Sequence, residues 1–380
     1  MTAGTKTREI GSDGVTRRAM IGGAAGAAAF VGSGPRAASP SAPSFGAPAG
    51  FALLSRNENP YGPSPKAVEA ACEASKNGAY YADRSVLYLA DMIAERNGVT
   101  RDFVSISAGS GEGLCAAAQA WTRGGGKILA PSLFWDTTAR YAERQGAGIV
   151  RAPLADDLGV DLAAMEGLVD EAISLVHITN PNNPTGLLLD PAALKAFCLR
   201  VEPKATVLVD EAYNELTDDP DGASIMPLVR DGRNVIVSRT FSKIYGMAGM
   251  RVGYLLARPD ITAKIRSNIM SWISAPGLAA ATASYNDQAF LRMSKARIGE
   301  GRDRVMNAAR AQKLSFLPSQ ANFVFVNVGR DATWFMEKME EKQIFIRGAY
   351  PDYATWSRVS MGRIEDMARY VRALPEVLAG

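Results

Sequence analysis

The chain has 380 residues, 47% of them hydrophobic, enough to bury a large core spread over about two domains. Its formal charge of +3 comes from the first 38 residues; the rest carries 37 basic and 37 acidic side chains, so nothing electrostatic points to nucleic acid or an anionic membrane. Three scattered cysteines exclude a disulfide framework or metal knuckle and read as core thiols, and a single histidine excludes a histidine-rich metal centre.

Residues 1–41 read as an export segment. Paired Arg17 and Arg18 precede an uncharged run of small and apolar residues that ends at Arg36. The run is too short and glycine-rich for a transmembrane helix, so stable membrane insertion is not expected. The arginine pair is similar to a twin-arginine signal, which implies an exported, periplasmic protein. Without that signal the protein would stay cytoplasmic.

From residue 51 onward, short β-branched runs recur: "FVSIS" (103–107), "KILA" (127–130), "SLVHIT" (174–179), "TVLVD" (206–210), "NVIVS" (234–238) and "GYLLA" (253–257). Helix-like segments such as "GLCAAAQAWTR" (113–123) and "PAALKAFCLRV" (191–201) separate them. Buried strands alternating with helices predict an α/β fold with a mostly parallel sheet flanked by helices. This large domain is expected over 79–278. A polar helical pattern (289–312) and two strand-like pieces, "NFVFVNV" (322–328) and "WSRVSMG" (356–362), predict a smaller α+β domain over 279–380. Residues 51–78 are expected to join it.

Polar residues cluster after the strands, where parallel sheets build their sites. "SAGSGEG" (107–113) offers glycines and a helix start that can approach a phosphate, although the dinucleotide spacing is broken by Leu114. "TNPNNPTG" (179–186) fixes the amide of Asn183, and "VDEAY" places Asp210 at a strand end with Tyr213 three residues on. "SRTFSKIYGMAGMRVGY" (238–254) then supplies Ser242, Lys243 and Arg251. Singly, each has a plainer reading: a turn, a helix cap, a solvated loop. The lone histidine, His177, lies in an apolar run and reads as a strand residue. Together the set suits pyridoxal phosphate, which needs a lysine for a Schiff base, a carboxylate facing its ring nitrogen, donors to its phenolic oxygen and a phosphate cradle.

The chain resembles the fold-type I pyridoxal-phosphate aminotransferases of class I/II, most of all the histidinol-phosphate aminotransferase branch. The resemblance spans about residues 51–375, on "SRNENPYGPSP" (55–65), "AGSGEGL" (108–114), "PNNPTG" (181–186), "VDEAY" (209–213), "TFSKIYGMAGMRVGY" (240–254), "PSQANFVFV" (318–326) and "RVSMG" (358–362). It implies a homodimer that moves an amino group between an amino acid, or an amino alcohol phosphate, and a 2-oxo acid. It also implies roles. Lys243 carries the Schiff base, Asp210 pairs with the ring nitrogen, and Asn183 and Tyr213 bond the phenolic oxygen. Ser110, Gly111, Glu112, Ser242 and Arg251 hold the phosphate, and Tyr81 reaches the neighbouring subunit's phosphate. Arg358 grips the substrate carboxylate, while Arg347 and Tyr61 line the side-chain pocket. Trp135 is assigned as the stacking aromatic, with Phe134 as the alternative. "YYAD" (80–83) also departs from the family's element, which makes Tyr80 an alternative to Tyr81. A decarboxylase, lyase or synthase on the same fold would need nearly the same residues.

Overall fold

The computed structural model describes residues 45–380; the export segment read over 1–41 lies outside the described residues. Residues 47–380 form one compact unit. Its strands are β1 (Ala52–Leu53), β2 (Val104–Ser107), β3 (Lys127–Pro131), β4 (Ile149–Ala152), β5 (Ile173–Thr179), β6 (Thr206–Asp210), β7 (Val235–Thr240), β8 (Gly253–Leu256), β9 (Phe323–Asn327), β10 (Ile344–Phe345) and β11 (Trp356–Ser360).

Seven of these build one sheet in the order β2-β8-β7-β6-β5-β3-β4. Strands β3 to β7 pair in parallel, and β8 runs antiparallel to both its neighbours, β2 and β7. Every residue of β6 is buried, as expected for a central strand with both faces covered. The six apolar runs recognised in the sequence all fall in this sheet. The edge strand β4 escaped notice because only Ala152 of its "IVRA" is buried, so it carries no apolar-run signal.

Local chemistry sets the helix starts. Pro191–Val201 opens with proline at its first position, and the Asp190 Oδ1 cap accepts from the Ala193 N–H at 2.7 Å. The long helix Gln288–Ala311 buries Phe290, Leu291, Ile298, Val305 and Ala309, a stripe along an otherwise polar cylinder. Beside it, β9 and β11 form an antiparallel pair in which Arg358 lies opposite Phe325. The N-terminal strand β1 pairs in parallel with β10. Cys198 is buried and Cys115 half-buried, but Cys72 is exposed on the helix Pro65–Ser75, so the core-thiol expectation fails there. Among the described residues, no helix is long and apolar enough to cross a membrane.

Candidate active site

Strands β2, β3, β5, β6 and β7 all end at the same edge of the sheet, and β8 begins there because it runs the other way. That edge opens into a cavity of about 500 Å³. Ser110 and Gly111 follow β2, Phe134 and Trp135 follow β3, and Asn183 follows β5. Asp210 ends β6, Tyr213 lies just beyond it, and Ser242 and Lys243 follow β7. Arg251 precedes β8, while Arg347, Arg358 and the segment Ser55–Asn57 close the far wall.

Lys243 donates from Nζ to the Asn57 carbonyl at 3.2 Å. Burial, then the nearby Arg358 charge, lowers its amine to about 8. Asp210 is 4% exposed, and its Oδ1 is buried without a hydrogen-bond partner. Burial raises its carboxyl to about 7, against the pull of Ser238 and the Lys243 charge. The Tyr213 hydroxyl accepts from Asn57 Nδ2 at 3.1 Å and from Asn183 Nδ2 at 3.2 Å, and burial pushes it up to about 12. Arg358 is 8% exposed; it donates from Nη1 to Asn183 Oδ1 and from Nη2 to the Ser55 carbonyl, both at 2.6 Å, while its Nε stays buried without a partner.

At the other end, Gly109 turns the chain at φ 80° into the helix Ser110–Thr122. A Cβ at Gly109 would collide with the Arg251 guanidinium, so glycine lets that cation lie on the turn. Arg251 itself is left-handed at φ 56° and donates from Nη1 to the Ala248 carbonyl at 2.9 Å. The Ser242 hydroxyl lies 3.4 Å from the same nitrogen and also accepts from the Thr240 hydroxyl at 3.0 Å. No side chain caps the helix start at Ser110, so its first N–H groups, a cation and a hydroxyl converge on one end of the cavity.

Glu112 and Tyr61, expected at the site, do not line the cavity, and neither does Tyr81, which was expected at the neighbouring subunit's phosphate. The Glu112 N–H is committed to the Gly109 carbonyl at 3.2 Å, and its carboxylate binds backbone N–H groups. Tyr61 accepts at its hydroxyl from the Ile364 N–H at 3.0 Å. Tyr81 is 77% exposed and packs on Trp272, with ring centroids 4.8 Å apart. Phe134 and Trp135 both line the cavity. Phe134 is buried edge-on against His177, whereas Trp135 is half-buried and its ring tip reaches to 3.9 Å from a Cβ position at Gly111. His177 is fully buried in β5, and burial drives its imidazole down to about 3, so it stays neutral. Sequence reading missed Asn57, which at φ 57° offers its carbonyl to Lys243 and its amide to Tyr213. Its signal was the "RNENP" run, too polar for a core segment, whose asparagines are nonetheless buried.

A mostly parallel seven-stranded sheet with a lysine, a buried carboxylate and an anion cradle at its carboxyl edge defines a fold-type I transferase architecture. Residues 50–374 match the model of the family "Aminotransferase class I and II", and the chain belongs to that family. It is 35% identical to the histidinol-phosphate aminotransferase of Moorella thermoacetica over 335 residues, covering 86% of this chain and 85% of that one. Among solved structures, the histidinol-phosphate aminotransferase of Sinorhizobium meliloti, in complex with pyridoxal-5'-phosphate, superposes with a TM-score of 0.80 at 30% identity, covering 87% of this chain and 91% of that one. The aspartate aminotransferase of Thermotoga maritima shares the fold, with a TM-score of 0.79 at 22% identity, over 87% of this chain and 92% of that one.

Proposed function

We propose that the protein binds pyridoxal 5'-phosphate in this cavity and transfers an amino group from an amino acid, or an amino alcohol phosphate such as histidinol phosphate, to a 2-oxo acid. The observation that carries the reading is Asp210. A buried carboxylate with an unpartnered oxygen is costly, and a cationic ring N–H placed against it removes the cost. The Gly109–Arg251 cradle suits a phosphate in the same way.

When bound, the cofactor supplies an aldehyde that links to amines and a ring that takes up an electron pair. Everything else falls to this chain's own residues. Lys243, lowered to about 8, holds enough neutral amine near pH 7 to attack an aldehyde and to move a proton at the substrate carbon bearing the amino group. Asp210 would face the ring nitrogen and keep it protonated. Tyr213 and Asn183 would donate to the phenolic oxygen. Ser110, Gly111, Ser242 and Arg251 would hold the phosphate, and Trp135 would pack on the ring. Arg358 gives up its Asn183 and Ser55 partners in part to fork onto a carboxylate, and Arg347 beside it receives a second anionic group.

The active form is a homodimer in this reading. Tyr81 and Trp272 pack on each other while largely exposed, a pair suited to burial against a second copy, with Tyr81 reaching the neighbour's phosphate. Export by a twin-arginine route rests on Arg17 and Arg18 and the apolar run behind them.

The test is a panel of donors, including histidinol phosphate and aromatic amino acids, added to cofactor-loaded protein without any oxo acid. Stoichiometric pyridoxamine phosphate from one donor supports the reading. Loss of carbon dioxide or of a substituent, with pyridoxal phosphate unchanged, would assign a decarboxylase or lyase instead.

A further inference from the structure

Glu112 stands in the first turn of the helix Ser110–Thr122 but turns away from the cavity. Its Oε2 accepts from the Ala108 N–H at 2.7 Å and its Oε1 from the Ser271 N–H at 2.8 Å. Charge-assisted bonds of this kind are roughly twice as strong as neutral ones. They join two segments far apart in the chain. Ala108 opens the turn whose Gly109 lies under the Arg251 guanidinium. Ser271 belongs to the irregular link between the helices Pro259–Arg266 and Ala275–Tyr285, which exposes Met270 at 87% and Trp272 at 66%. Among the described residues, the bond to Glu112 is the one hydrogen bond made by residues 270–273. Trp272 in turn packs on Tyr81.

We propose that Glu112 is a positioning residue that couples occupancy of the anion cradle to the ordering of the Tyr81–Trp272 face. A phosphate that fixes the Ala108–Ser110 turn also fixes both ends of the carboxylate's reach, and so the tether on Ser271. By linkage, anything that packs on Tyr81 and Trp272 tightens the cradle to the same degree. The inference rests on the reading that the cavity takes pyridoxal phosphate. It explains why an acidic residue occupies the first turn beside an anion site: its charge is spent on two backbone donors.

Hydrogen exchange of the full-length protein, with and without saturating pyridoxal phosphate, tests the coupling. In the wild type the cofactor slows exchange across residues 267–274 by about tenfold or more. In Glu112→Ala the same peptide exchanges fast and ignores the cofactor, while absorbance shows that the cofactor still binds. Glu112→Gln, which keeps one acceptor, falls between and guards against a misfolded alanine variant. An equal cofactor response in wild type and both variants overturns the coupling, as does a wild-type peptide that never responds. A wild-type protein that acquires no cofactor absorbance removes the underlying reading, and the coupling with it.

Discussion

Arg347 and Arg358 lie opposite each other in an antiparallel bridge, each donating its backbone N–H to the other's carbonyl, at 3.0 and 3.3 Å. Both line the cavity, and neither forms an ion pair among the described residues. Like charges directly opposite are destabilising, so the pair is maintained at a cost that a bound anion removes. Arg358→Ala should lower kcat/KM for amino acid donors by about a hundredfold or more, and Arg358→Lys should restore little of it because a lysine cannot fork. Arg347→Ala should raise KM selectively for donors with a second anionic group. Steady-state kinetics over donors with and without that group checks both; an equal effect of Arg347→Ala on all donors would contradict its placement.

Asp210→Asn keeps the shape of the cavity wall but loses the charge. Cofactor should still bind, and turnover should fall by several orders of magnitude. A loss below tenfold, about 1.4 kcal/mol, would show that the ring-nitrogen charge is not needed.

The lowered basicity of Lys243 gives a pH dependence. A base lowered from 10.5 to about 8 is mostly charged below pH 8 and mostly neutral above it. Capture of pyridoxal phosphate by cofactor-free protein, trapped with borohydride, should therefore speed up as pH rises through about 8 and level off above. Arg358→Ala should move the inflection upward, since Arg358 is the largest charge holding the amine down. An inflection near the ordinary lysine value would contradict the burial argument.

Gly109→Ala places a methyl group where the Arg251 guanidinium lies and forces an L-residue to φ 80°. Binding of pyridoxal phosphate should weaken by about tenfold or more, with a loss of fold stability of about 1 kcal/mol, since strain and displacement both act at the turn. Equilibrium dialysis and thermal melting separate the two. Unchanged affinity would mean that Arg251 does not need its seat on Gly109.

Much of this was legible from residue order alone. β-branched runs such as "TVLVD" announce central strands because burial on both faces demands them, and polar residues at their ends announce the site edge. β4 was not legible, because half-buried edge strands carry no continuous apolar signal. The turning of Glu112 away from the cradle was equally hidden: it depends on Ser271, and no local pattern encodes a contact over 159 positions. Asn57 escaped for a similar reason, since its partners Tyr213 and Ser360 come from distant segments.

The most direct measurement is peptide mapping after borohydride reduction of protein saturated with pyridoxal 5'-phosphate. The account predicts one pyridoxyl group, on Lys243, and none in Lys243→Ala. A saturated protein whose Lys243 peptide carries no pyridoxyl mass would contradict it.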